Sequence, residues 1–145
     1  MTALTPAGRL VGAFGNVARK RAVYDPDIEW SLPAGLPYPR PMKGIDAVVA
    51  FNTAVWSEHY FPDCTARILD VIGDEDASAV RCIYRARFRS GAAACENEYT
   101  FFARSSTKRI REVFEAMDTV AVLEQLNGQK DGETFALFLA GTGSP

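Results

Sequence analysis

From Cys64 onward the chain alternates apolar and polar residues with period two through most of its remaining length, and nothing else in it constrains the fold as much. Successive side chains of a strand point to opposite faces, so such alternation demands a sheet with one face buried. It is sharpest between Ala79 and Arg89. Val80, Cys82, Tyr84, Ala86 and Phe88 share one face there, and Arg81, Ile83, Arg85, Arg87 and Arg89 the other. Ser90-Gly91 supplies a hairpin turn, and Ala93 to Arg104 returns with Glu96 and Glu98 alternating with Asn97, Tyr99 and Phe101. Arginines beside glutamates predict cross-strand ion pairs on an outer face. The same periodicity predicts a strand from Thr65 to Ile72, an acidic solvated turn at Gly73-Asp74-Glu75-Asp76, and a last strand from Lys108 to Met117.

The first sixty residues follow other rules. Thr5-Pro6 opens a helix in which Leu10, Val11, Phe14 and Val17 recur at helical spacing to about Ala18. Arg19-Lys20-Arg21 suits the negative end of that helix and is expected to be solvated. Asp25-Pro26-Asp27 is a turn, and Ile28, Trp30 and Leu32 mark a short half-buried strand. Pro33 to Pro41 holds four prolines in nine residues, so it forms an extended loop. It is either a linker or a flap over a pocket mouth, with Leu36 and Tyr38 as its apolar contacts. Gly44 to Tyr60 is the clearest helix, with Val48, Asn52, Val55 and His59 on one stripe and Val49, Trp56 and Tyr60 beside it. His59, in its last turn, is either a hydrogen-bonded structural histidine or a catalytic group. Past Met117, Thr119 to Leu126 reads as a short helix ended by Asn127-Gly128, and Phe135 to Ala140 as a strand or docked helix.

Composition narrows the partners. At 145 residues the chain suits one domain, and its net charge of −2 provides no basic field for nucleic acid or an anionic membrane. No apolar run approaches the roughly 20 residues of a membrane helix. Leu10 to Ala18 imitates a signal-peptide core, but Lys20 and Arg21 follow at once without a small-residue cleavage site. Three cysteines, Cys64, Cys82 and Cys95, form no CxxC pair, which fits a reducing cytoplasm. A single histidine without ligand spacing predicts no metal site, and the acidic turn lacks the oxygen spacing of a calcium loop.

The order of elements is helix, strand, long loop, helix and then four long meandering strands, an α+β layout with one strongly curved, mostly antiparallel sheet wrapped around N-terminal helices. It resembles the nuclear transport factor two-like fold, the cone of ketosteroid isomerases, scytalone dehydratase, limonene epoxide hydrolase and SnoaL-type polyketide cyclases. Three stretches are similar to the SnoaL-like branch: Tyr24-Asp25-Pro26-Asp27-Ile28-Glu29-Trp30, Phe61-Pro62-Asp63, and Glu112 through Leu126 with its Asp118 and Leu123-Glu124-Gln125-Leu126 ending. The resemblance covers about residues 8–127 of one domain spanning 1–145, leaving 128–145 as an extension. It implies a cone-shaped pocket for a hydrophobic small molecule, cofactor-independent acid/base chemistry on a carbonyl compound (cyclisation or isomerisation), and a homodimer. Trp30, Tyr38, Trp56, Tyr84, Tyr99 and Phe114 are the expected substrate-binding residues. Asp118 matches the branch's base, and His59 is the second catalytic candidate. Departures exist: ketosteroid isomerases keep their acid late in the first strand, at about Ser31 or Leu32 here, where none stands, and a second N-terminal helix is expected to be absent or very short.

Asp118 has two roles open to it. Strand alternation groups it with Phe114 and Ala116, facing the cavity, unless a bulge reverses the faces. Asp118-Thr119 is equally a helix start, where an aspartate caps free N–H groups. Glu115 is expected to point outward and pair with an arginine, and Ile83 and Val113 to supply apolar contacts on an outer, dimer-forming face. The alternative function is a non-catalytic hydrophobic-ligand-binding or dimerisation module of the same fold.

Overall fold

Thr5 does open a helix, its hydroxyl accepting the Gly8 N–H at 3.1 Å. That helix, α1 (Pro6–Gly12), is short, because Gly15 takes a positive φ of 74° and Asn16 then caps a second helix, α2 (Val17–Val23), through the Arg19 N–H at 3.0 Å. The expected single helix is therefore two, and the second N-terminal helix is present but short, at seven residues. The break re-aims the basic segment. Lys20 becomes 1% exposed instead of solvated, and burial lowers its ammonium to about 8. Arg21 reaches Asp46 at 2.8 Å, tying α2 to the next helix. The computed structural model describes residues 5–36, 38–55, 64–87 and 94–122.

Chain order continues with β1 (Tyr24–Ser31), β2 (Met42–Lys43), α3 (Ile45–Thr53), β3 (Thr65–Gly73), β4 (Ala77–Arg87), β5 (Ala94–Ser106) and β6 (Arg109–Met117). Residues 119–122, the last described, are helical. The strands form one six-stranded, unclosed sheet in the order β2-β1-β6-β5-β4-β3. All neighbours are antiparallel except β1 and β6, which run parallel and bring the start of the chain against its last strand. β1 is longer than Ile28–Leu32 because Tyr24 already pairs with Ile110. β2, inside what reads as loop, pairs Met42 with Trp30. The proline-rich segment before it is docked: Leu36 is 4% exposed and the Tyr38 ring meets Phe51 edge-on at 5.5 Å.

Alternation along β4 holds as read. Val80, Cys82, Tyr84 and Ala86 are buried on the inner face, and Arg81, Arg85 and Arg87 are exposed. Opposite them, β5 turns Asn97, Tyr99, Phe101 and Ala103 inward and Glu98, Phe102 and Arg104 outward. The arginine–glutamate expectation is also met. Arg81 sits between Asp70 at 2.8 Å and Glu98 at 2.9 Å on the outer face. The acidic turn is a tight β3–β4 connection in which the Asp74 carboxylate accepts N–H groups of Ala77 and Asp76. Those bonds, Ala77 foremost, hold its carboxyl below the usual range. Gly73 is required there, since its φ is 112° and a Cβ would lie 2.2 Å from the Ala77 carbonyl oxygen.

The helices lie across the inner face. Leu10 and Ala7 of α1, Val48, Val49 and Phe51 of α3, and Ile28, Trp30, Val80, Phe101, Ile110 and Val113 of the sheet form one buried cluster. Phe14 packs edge-on to Phe101 at 5.2 Å, and Phe101 to Trp30 at 6.3 Å. Burial of such aromatic side chains supplies much of a core's stabilisation.

Candidate active site

The sequence of β6 contains an irregularity that decides which acid faces inward. Ile110 is buried, Arg111 and Glu112 are both exposed, and Val113 is buried again. Two consecutive outward residues cannot belong to a regular strand. The pairing shows the cause: Arg104 lies opposite Glu112 but Ser105 opposite Ile110, so Arg111 is an extra residue, a β-bulge. Downstream of it every side chain changes face relative to simple alternation from Ile110. Val113, Glu115 and Met117 turn inward, whereas Phe114 is 42% exposed outside, beside Phe102 at 6.3 Å. The expected orientations are thus corrected. Phe114 does not line the interior, Val113 is not an outer-face residue, and Glu115 does not point outward to an arginine.

Glu115 meets Trp30 instead. The indole Nε1–H donates to Glu115 Oε2 at 2.9 Å, joining β6 to the neighbouring parallel strand. Trp30 is 2% exposed, fixed between Tyr24 at 6.2 Å and Phe101 at 6.3 Å. Burial of the carboxyl pushes Glu115 up to about 7, while the indole hydrogen bond works in the opposite direction. Desolvation outweighs one neutral donor because the carboxylate has four lone-pair sites to satisfy. No cation is paired with it among the described residues.

Its surroundings carry the mark of that charge. The phenols of Tyr24 and Tyr38 are raised, mainly by burial and secondly by the negative charge of Glu115. Both stay protonated at neutral pH and keep O–H donors. The Tyr24 hydroxyl is committed, donating to Asn52 Oδ1 at 2.7 Å, and Asn52 is buried on α3. Burial, then Glu115, pushes the Cys82 thiol up to about 11, so it is a small apolar filler and no nucleophile. A carboxylate near 7, beside apolar walls and protonated phenols, can take a proton from carbon and return it.

Asp118 lies elsewhere. It is exposed, its Oδ1 accepts the Ala121 N–H at 3.2 Å and its carbonyl the Val122 N–H at 3.2 Å, which is the geometry of a helix N-cap. Of the other expected residues, Trp30 bonds Glu115 directly and Tyr38 lies near enough to feel its charge, and Tyr99 and Tyr84 stand together further along the inner face with rings 5.8 Å apart. Trp56 and His59 fall outside the described residues, as do the Phe61-Pro62-Asp63 and Leu123-to-Leu126 stretches. Sequence reasoning missed Glu115, Tyr24 and Asn52. The adjacent polar pair Arg111-Glu112 between apolar Ile110 and Val113 was the available signal for the first.

The outer face has a different feature. Ile72, Ala79, Phe102, Phe114 and Ser31 lie opposite one another in register across five strands. They run along an open groove of about 410 Å³ whose rim carries Glu29, Arg104 and Glu112. No helix among the described residues is long and apolar enough to cross a membrane.

Comparison with known proteins agrees with this frame. A SnoaL-like polyketide cyclase assignment accompanies one similar structure, from Jannaschia sp. CCS1, with 16% identity, 82% of this chain and 87% of that one covered, and a TM-score of 0.70. Wild-type IdmH from Streptomyces antibioticus, also assigned as a polyketide cyclase, is 25% identical over 84% of this chain and 96% of its own, with a TM-score of 0.62. A nuclear transport factor two-like protein from Burkholderia xenovorans LB400 is 20% identical over 82% and 91%, with a TM-score of 0.67. No curated protein matches the chain. The SnoaL-like domain family model matches residues 13–113, most of the helices and sheet just described, and the chain belongs to that family.

Proposed function

We propose that this chain is a cofactor-independent enzyme that moves a proton at a carbon next to a carbonyl, with Glu115 as the base, in a pocket between the inner face of the sheet and the helices. The observation that carries this is the Trp30 Nε1–Glu115 Oε2 contact of 2.9 Å, which holds one carboxylate in a defined direction among aromatic side chains. Trp30 and Tyr38 then serve as substrate walls, and the Tyr38 hydroxyl is a candidate donor to the enolate oxygen. The assignment of similar folds as polyketide cyclases favours ring closure onto a second carbonyl over isomerisation. Asp118, occupied as a cap, contributes structure, and His59 remains a candidate second catalytic group.

The test is a carboxyl-carbon NMR titration of Glu115, with Glu115→Gln as the assignment control. An apparent pKa of about 7 is expected. Exchange of the α-hydrogens of a flat ketone such as 2-tetralone into D₂O should fall at least about 100-fold in Glu115→Gln, the usual scale for a positioned base. A titration near 4.5, with no change in exchange, would leave a ligand-binding module as the function.

We also propose that the chain is a homodimer through the outer stripe of Ile72, Phe102 and Phe114, whose exposures are 67%, 49% and 42%. The acid and basic groups on its rim are of both signs and can pair across a two-fold axis. Sedimentation should give a dimer at micromolar concentration and a monomer for Phe102→Glu; a monomeric parent protein removes the proposal.

A further inference from the structure

The inner face carries a second polar group that the base chemistry does not use. Asn97 on β5 is 7% exposed, and its Nδ2 is buried without a hydrogen-bond partner among the described residues. An orphaned buried amide donor destabilises the protein that contains it, so native structures fill such positions with an acceptor. Its position relative to Glu115 is fixed by the sheet. Glu115 lies opposite Phe101, Met117 opposite Tyr99, and Asn97 comes two residues before Tyr99, opposite Tyr84 on β4. The stretch between the two polar groups is therefore roofed by Tyr99 and Met117, both inward and both only partly buried. Four strand residues separate the levels of Phe101 and Asn97, roughly 13 Å along the sheet.

We propose that Asn97 is the far-end recognition residue of this site, its amide N–H donating to a carbonyl oxygen of a flat, elongated, multi-ring ketone that lies along Tyr99 and Met117 with its acidic carbon at Glu115. This rests on the Glu115 assignment for the orientation of the substrate and adds its length and second functional group. A short mono-carbonyl compound would reach one polar group and leave the other orphaned. A molecule with oxygens at both ends satisfies both, and a site built to bond an oxygen rejects the analogue that lacks it. Tyr99 lies nearly parallel to Phe101, at 7° and 5.9 Å, so successive inward residues of β5 present rings in one orientation, which suits a flat occupant.

A pair of probes that differ in one oxygen tests this. In 6-acetyl-2-naphthol the hydroxyl can donate to the Glu115 carboxylate and the acetyl oxygen, at the opposite end, can accept from Asn97; 6-ethyl-2-naphthol lacks that oxygen. Fluorescence titration of the full chain at pH 8 should show the acetyl compound binding about ten-fold more tightly, the effect of one good buried hydrogen bond. Asn97→Leu should abolish the ratio, leave the ethyl compound's affinity within about two-fold, and have a Tm at or above that of the parent because the orphan donor is gone. Asn97→Asp, the same shape without the donor, should abolish the ratio as well. A ratio near one in the parent protein, binding of neither probe, or a ratio that survives in Asn97→Leu overturns the proposal. The Glu115 titration is independent of these outcomes. A Glu115 titrating near 4.5 with the ratio intact removes the base and keeps Asn97, and a Glu115 near 7 with a ratio of one does the reverse.

Discussion

The two faces of the sheet handle charge in opposite ways. Outside, Arg81 is bracketed by Asp70 and Glu98, and Arg104 approaches Glu112 at 3.8 Å, all in water and all paired. Inside, Glu115 has one neutral donor and no cation among the described residues. The outer charges are solvated well enough that pairing adds little. The inner one loses hydration and regains only part of it, which moves its proton affinity into the working range of a catalyst. Two residues of one strand, Glu112 and Glu115, and the exposed Asp118 just past its end therefore have three different surroundings. What differs is the face on which each lies.

The sharpest test of that contrast is a neighbouring pair on β5. Phe101→Ala should cost about 3–5 kcal/mol in urea unfolding, because Phe101 is 4% exposed and contacts Phe14, Trp30 and Tyr99. Phe102→Ala, next to it but outward and 49% exposed, should cost less than about 1 kcal/mol. Equal costs would break the distinction between the faces; a cost for Phe102 that grows with protein concentration would sharpen it, by placing the outer stripe in a dimer.

Glu115→Gln comes next. The folded pKa of about 7 lies above the 4.5 of the free side chain, so between these values the native state binds more protons than the unfolded one. Stability must then fall as pH rises from about 4.5 through 7. Glutamine keeps an acceptor for the Trp30 N–H and has no charge, so the variant should be more stable than the parent by up to about 3 kcal/mol at pH 8, and equal to it below the lower pKa. A variant whose advantage over the parent is no greater at pH 8 than at pH 4 would mean that Glu115 is not desolvated. The smallest effect belongs outside. Arg81→Ala should move Tm by no more than about 2 °C, and by nothing measurable in about 0.5 M salt.

The strands of this fold were legible because the signal is repetitive. Along β4 and β5 each second residue repeats the same instruction, and the buried face follows from any four of them. The cross-strand pairing of Arg81 with Glu98 was legible for the same reason. The N-terminal helices were less so. Leu10 to Val17 keeps helical spacing straight through a break made by Gly15 and Asn16, and spacing alone does not report a change of direction. β2 has two residues and no period at all.

Chain composition and periodicity by themselves determined an α+β domain with a one-sided sheet, and the order of elements pointed to the family, because burial of alternate residues leaves few other arrangements. They did not determine the acid. Ile110, Val113 and Glu115 share a face only because Arg111 is squeezed out of the ladder opposite Arg104 and Ser105, and that pairing exists only once β5 and β6 are side by side. The indole that orients Glu115 arrives from β1, 85 residues earlier, through a parallel pairing that no local pattern encodes. Local alternation fixes which residues can be inside, and the register between distant strands fixes which one carboxylate is.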